Sequence, residues 1–157
     1  MNQARGHDQR FTPLGRTRTA RPRATAFERS YLGTMEEVRE VCADMTAITH
    51  GCALSDDLVL ITSELAANAI QHSRSGRPAG SFTVRVTLYP DDYAWVEVID
   101  QGGEWTSDHH RHGLTALASI AGDGNWGIDG DEACHVAWFR LDLPSPRPHP
   151  RTAATLE

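Results

Sequence analysis

The chain has 157 residues, 39% of them hydrophobic, and a formal net charge of −6. That length suits one domain with its own core, while no apolar run approaches the ~20 residues of a membrane helix and none follows the basic N-terminus as a signal peptide requires, so the sequence reads as cytoplasmic. All fifteen basic residues are arginine, and the lack of lysine excludes a Walker-type P-loop, Schiff-base chemistry and the strand lysine of protein kinases, each of which needs an ε-amine.

Residues 1–26 carry a net charge of +5 and no apolar period, and they read as a disordered tail. Such a tail also suits RNA, DNA or an acidic protein face, but a solvated tail is the simpler reading. Residues 27–144 carry a net of −12, which argues against nucleic acid as a partner of the fold itself. Thr34-Met35-Glu36-Glu37 has the form of a capping box. Behind it Met35, Val38, Cys42, Met45 and Ile48 recur at helical spacing, with Gly51 as a stop. A second helix is predicted from near Ser55, whose hydroxyl can cap Asp57 and Leu58. It carries Leu58, Ile61, Leu65 and Ala69 on its inner face and runs to about His72.

The stretch 73–81 reads as a loop. Phe82, Val84, Val86 and Leu88 then alternate with polar residues, Pro90-Asp91-Asp92 turns the chain, and Tyr93–Asp100 returns as a second strand. Gln101–His112 is a polar loop, Leu114–Ala121 a short helix, and Trp126–Ile128, the turn Asp129–Glu132 and Cys134–Leu143 a final hairpin. From Pro144 onward proline dominates and a second tail is expected. One domain over residues 27–143 follows. The order helix, helix, hairpin, loop, helix, hairpin predicts an α+β two-layer sandwich, a mostly antiparallel sheet with helices on one face.

Three cysteines are an odd count without paired spacing, and Cys42 and Cys134 read as buried thiols. Asp108, His109, His110 and His112 lack a second ligand pair, so a solvated loop accounts for them better than a metal site. The four tryptophans read mostly as core, with Trp105 in the loop.

Glu64 and Asn68 stand four apart on the second helix and share a face, with His72 a turn beyond. Small and apolar residues flank them on a helix expected to be mostly buried, where a carboxylate and a carboxamide need partners or cost several kcal/mol. A cation with its waters and a nucleotide would supply those partners. Asp100 ends an apolar strand before Gly102-Gly103. Either it is a turn residue, or it accepts a hydrogen bond from a ligand's amino group where glycine lets the backbone come close. Gly113-Leu114 opens a helix after a polar loop, which offers free N–H groups to a phosphate.

Taken together, Glu64-Leu-Ala-Ala-Asn68-Ala resembles the N-box of the Bergerat-fold (GHKL) ATPases, Asp100-Gln-Gly-Gly their first glycine box, and His112-Gly113-Leu114 the second. The sequence is most similar to small actinobacterial proteins of the anti-sigma-factor serine/threonine kinase type. Those share a helix after Gly-Thr (here Gly33-Thr34), then Trp-Gly and Trp-Phe (here Trp126-Gly127 and Trp138-Phe139). The resemblance implies that Asn68 ligates Mg²⁺, Glu64 is the general base, Asp100 accepts from the adenine amino group, Gly102 lines the base pocket, and Gly113 with Leu114 faces the phosphates of ATP.

The chain departs from that pattern in three ways. Glu104 stands where the first glycine box usually has glycine, Arg111 precedes His112-Gly113 and can pair with a phosphate, and His135 or Val136 occupies the place of a threonine near the adenine. By resemblance the function is an ATP·Mg²⁺-dependent protein serine/threonine kinase that acts on a STAS-domain anti-anti-sigma protein and binds a sigma factor, with a homodimer left open. The alternatives are a nucleotide-gated binding module with negligible catalysis and, more remotely, a structural domain that has lost its nucleotide.

Overall fold

Five strands form one antiparallel sheet with helices on one face. In chain order the elements are β1 (Thr25–Leu32), α1 (Glu37–Ile48), α2 (Ser55–His72), a 3-10 turn (Arg74–Gly76), β2 (Ser81–Tyr89), β3 (Tyr93–Asp100), α3 (Leu114–Ala121), β4 (Trp126–Asp131) and β5 (Cys134–Asp142). The strands lie in the order β1-β2-β3-β5-β4, and every neighbouring pair is antiparallel. The α+β two-layer sandwich expected from the sequence is the fold. The computed structural model describes residues 23–104 and 114–144. Most of both tails, Trp105, the histidine-rich stretch, Arg111 and Gly113 lie outside the described residues.

Alternation builds the core. Val84 and Val86 of β2 face Val98 and Val96 of β3, while Phe139 and Leu141 of β5 face Val96 and Ala94. All are buried, and Leu58, Ile61, Leu65, Ala66 and Ala69 of α2 pack down on them. Burying a side chain of the size of Phe, Leu or Ile contributes about 1.5–3 kcal/mol, so α2 is the principal clamp on the sheet. Asp56 and Asp57 in its first turn suit the helix dipole.

Several local expectations are corrected. The capping box does not form: Glu36 is the N-cap of α1 and makes no side-chain cap. Met35 precedes the helix and is 48% exposed, and the inward residues are Val41 and Met45, with Val38, Cys42 and Ile48 half-buried. Ser55 is the first residue of α2 and caps nothing; its hydroxyl meets that of Thr49 at 2.6 Å. The last hairpin turns at Glu132-Ala133, because β4 runs on to Asp131. Cys42 and Cys134 are half-buried free thiols.

Trp95 and Trp138 are not core. They stack at 4.9 Å on the uncovered face of the sheet, where Arg85 also bridges Glu28 (2.7 Å) and Glu97 (3.1 Å). A Cβ on Gly127 would come within 2.9 Å of the Trp138 ring, and Trp126 lies opposite Phe139, which accounts for the Trp-Gly and Trp-Phe pairs.

The strand β1 is absent from the predicted elements, and its first residues, Thr25 and Ala26, fall in the stretch that composition reads as tail. Its inward positions are Phe27, Arg29 and Tyr31, so a cation interrupts the apolar alternation. Arg29 and the Tyr31 hydroxyl both bond Asp44 of α1 at 2.6 Å, which ties the edge strand to the helix. Burial first, and Asp44 second, push the Tyr31 phenol up.

The end of α2 is joined to the sheet at Ser75. The Ser73 hydroxyl donates to Ala69 O (2.6 Å) and accepts from Ser75 N–H (3.0 Å). The Ser75 hydroxyl accepts from Gln101 N–H (3.0 Å), and Arg74 N–H donates to Gly102 O (2.8 Å). A Cβ at Gly33 or Gly80 would overlap the Ser75 carbonyl, and one at Gly76 the Ile70 carbonyl, so these glycines are set by space. Gly33→Ala is expected to lower the unfolding free energy by about 3 kcal/mol or more, because no rotamer relieves a backbone overlap. Gly51→Ala, strained in φ but with open space around it, should cost about 1 kcal/mol. Denaturant melts of the two variants check this, and equal losses would refute the crowding at Ser75.

Candidate functional site

The last rung shared by β3 and β5 is where the core-facing rows turn polar. Asp100 ends β3, and its register partner is His135 of β5, on the same face as Val98 and Ala137. Val136 pairs with Ile99 and points the other way, so of the two candidate positions it is His135 that faces Asp100. Asp100 Oδ1 accepts from Gly102 N–H (2.6 Å), from His135 Nδ1 (3.1 Å) and, at longer range, from His135 N–H (3.4 Å). Among the described residues no donor reaches Oδ2. Desolvation raises the Asp100 pKa above the ordinary carboxylate value, and the donors of Gly102 and His135 offset part of that rise.

Gly102 holds φ at +66°, a conformation that favours glycine, and its missing Cβ leaves room for the carbonyl of Glu132 in the β4–β5 turn. Its neighbour Gly103 donates its N–H to the same carbonyl at 3.0 Å. The chain's own turn thus demands the glycine. Glu104, at the departure from the glycine-box pattern, is exposed.

Asn68 and Glu64 lie on α2 five and nine residues before Ser73, so about 7 and 13 Å along the helix axis from that C-cap. Asn68 is half-buried and Glu64 exposed. The desolvation expected for the carboxylate is therefore absent, because the core stripe of α2 runs through Leu58, Ile61, Leu65 and Ala69 and leaves Glu64 on the opposite side. Leu114 opens α3 with its side chain in the core, which leaves only its backbone for a ligand. The first turn of α3 has no acidic residue, so among the described residues no carboxylate opposes the positive end of its dipole. The helix touches α2, β4 and β5.

Arg111 and Gly113 lie outside the described residues. Sequence reasoning missed Ser73, Ser75 and Gln101, whose hydrogen bonds hold the loop after β3 against α2. Their only signal was a short run of hydroxyls in what read as a loop.

This set of residues fits an adenine nucleotide: a carboxylate oxygen at a strand end that no donor among the described residues reaches, a carboxamide on the adjoining helix and a helix N-terminus without an acidic residue in its first turn. For Mg²⁺ the hard carboxamide oxygen of Asn68 is a suitable donor, and among the described residues no cluster of three or more metal-ligating side chains offers a protein cage. A cleft of about 390 Å³ lined by His50, Cys52, Leu88, Pro90 and Asp91 lies at the other end of the β2–β3 hairpin and shares none of these residues. No helix among the described residues is long and apolar enough to cross a membrane.

Comparison with known proteins identifies the family and the fold. The histidine kinase-like ATPase domain family matches residues 15–129, which span every site residue expected from the sequence. Among solved structures, the RsbU and RsbW domains of Rv1364c from Mycobacterium tuberculosis superpose with a TM-score of 0.57 at 21% identity. The match covers 77% of this chain and 33% of that one, so it spans about a third of the larger protein and shows the shared fold. No curated protein sequence matches significantly. The chain belongs to the histidine kinase-like ATPase domain family, and ATP binding comes with that membership.

A carboxyl whose folded pKa is raised is easier to keep neutral than charged, so its ionisation costs stability. That cost is absent below the unfolded value of about 3.9 and complete above the folded one. Asp100→Asn should therefore melt no lower than the parent at pH 7, with any advantage shrinking as the pH falls toward about 4. ATP binding should weaken by about 1.5–3 kcal/mol, because the carboxamide replaces an acceptor with a donor. Thermal scans and calorimetry check both halves. A variant that melts well below the parent and binds ATP unchanged would make Asp100 a turn residue.

Proposed function

We propose that this histidine kinase-like ATPase domain binds ATP with Mg²⁺ between α2, the loop after β3 and the start of α3, and phosphorylates a serine or threonine of a protein partner. The observation that carries the reading is Asp100, fixed at a strand end with one oxygen open, beside the helix that bears Asn68 and Glu64. In this reading Asp100 Oδ2 accepts from the exocyclic amino group of the base, beside Gly102. Asn68 offers its carboxamide oxygen to the cation, which holds few protein ligands and keeps several waters. The N–H groups of Leu114 and its successors, with Gly113 and Arg111, meet the phosphates. Glu64 accepts the proton of the attacking hydroxyl. ATP·Mg²⁺ supplies the transferable phosphoryl group and neutralises its charge.

The partners proposed from the resemblance of the three boxes are a STAS-domain anti-anti-sigma protein as phosphoacceptor and a sigma factor as the protein held or released. One observation favours a second reading, a nucleotide-gated binding module with negligible catalysis. Glu64 is exposed, and among the described residues nothing fixes its carboxylate.

Two measurements separate the readings. Glu64→Gln preserves shape but cannot take up a proton, so ATP binding should hold while transfer of labelled phosphate to the STAS-domain protein falls by roughly 10²–10⁴-fold. If neither parent nor variant transfers phosphate, yet both retain the sigma factor only with ATP, the chain is a gated module and not a kinase. Asn68→Ala should remove most of the Mg²⁺ dependence of ATP affinity. Parent affinity that is the same with and without EDTA would remove Asn68 from the site.

A further inference from the structure

The family match ends at residue 129, yet one of the groups that constrain Asp100 comes from beyond it. An aspartate at a strand end has a broad χ2 torsion, so its two oxygens exchange places at little cost. At Asp100 two directions of donation remove that freedom. Gly102 N–H approaches from two residues downstream in the same chain, and His135 Nδ1 from the neighbouring strand, both onto Oδ1. For His135 Nδ1 to pair with a carboxylate oxygen, it must carry the proton. The His135 ring is held in turn: the residue is 8% exposed, and its backbone N–H points at the same Oδ1. With Oδ1 saturated, Oδ2 is the oxygen left to face a ligand, in a plane set by two elements of the sheet.

We infer that His135 is a positioning residue that locks the Asp100 carboxylate with Oδ2 toward the base and so sets the selectivity for a 6-aminopurine over a 6-oxopurine. This rests on the proposed placement of the base at Asp100. A 6-amino group donates to Oδ2. A 6-oxo group brings an acceptor against a buried acceptor, and a buried polar group left unpaired in this way gives strong discrimination. A carboxylate free to rotate can turn away from the oxo group or hydrate, so selectivity depends on the lock as well as on the charge. Phosphate contacts lie elsewhere and are indifferent to it.

The test compares ATP with ITP, both with Mg²⁺, on the full chain by calorimetry. The variants are His135→Ala, which removes the donor, His135→Asn, whose amide nitrogen falls near the Nδ1 position, and His135→Gln, whose amide is one methylene further out. The ATP:ITP affinity ratio should fall about tenfold or more in His135→Ala and His135→Gln, through weaker ATP binding and ITP binding that is unchanged or tighter, and His135→Asn should recover most of it. A purely structural role would lower both affinities together or follow the melting temperature. Because the Asn and Gln variants are both polar and near the original volume, their contrast decides the matter even if the Ala variant does not fold. A ratio unchanged in His135→Gln, or lost equally in Asn and Gln, overturns the inference. Asp100→Ala serves as the control. If it abolishes the preference for ATP while the His135 variants keep it, the base sits at Asp100 and only the role of His135 is wrong. If the parent shows no preference, or Asp100→Ala keeps it, the placement itself fails and the inference falls with it.

Discussion

Close backbone approach at Ser75 is the constraint on which the functional end of the molecule depends. Four segments meet there: the end of α2, the exit of β1 at Gly33, the approach to β2 at Gly80, and the loop that leaves β3 at Gln101 and Gly102. They come this near only because three of the residues carry no Cβ. The serine at the centre is fully buried and accepts the Gln101 N–H, so crowding there leaves that group satisfied. The helix bearing Asn68 and the strand end bearing Asp100 are thereby parts of one rigid joint. A site assembled across such a joint is defined by secondary structure, and a small error in backbone packing would be felt at the ligand.

Much of this was legible in the sequence where periodicity is long and undiluted. The eighteen residues of α2, the alternation of β2 and β3, and the span of α3 between glycines were readable because burial enforces the pattern over several turns or rungs. Elements set by tertiary partners were not. The edge strand β1 has an inward arginine whose countercharge, Asp44, lies on a helix fifteen residues away, a pairing that no local window reveals. The helix starts failed for a similar reason: Thr34 and Ser55 are suitable caps in isolation, but the Ser55 hydroxyl is taken by Thr49. Trp95 and Trp138 read as core because tryptophan is large and apolar, whereas strand parity sends both to the open face.

The candidate site was legible to the same degree. Glu64 and Asn68 on one helix face, and Asp100 at a strand end, were readable as chemistry; the exposure of Glu64 was not, because the sequence does not show that α2 buries only the opposite side. The choice between His135 and Val136 needed the β3–β5 register, a pairing across thirty-five residues. The polar rung of Asp100 and His135 sits directly above the apolar rung of Val98 and Ala137, so the mouth of the site is the upper edge of the core itself. One carboxylate there is kept partly desolvated and incompletely compensated, a local cost that a purely structural turn would not need.

The strand order also sets when the domain can be assembled on the ribosome. β1 waits for β2, its register partners lying 49 to 63 residues downstream, and β5, the last strand to be made, inserts between β3 and β4. Sheets closed by such distant pairings form slowly and late. Since the Asp100 rung is completed by a residue of β5, a nascent chain lacking that strand has an unpaired β3 edge and no finished pocket, however well its helices have formed. The polar rung of Asp100 and His135 and the sheet itself are therefore completed together during synthesis.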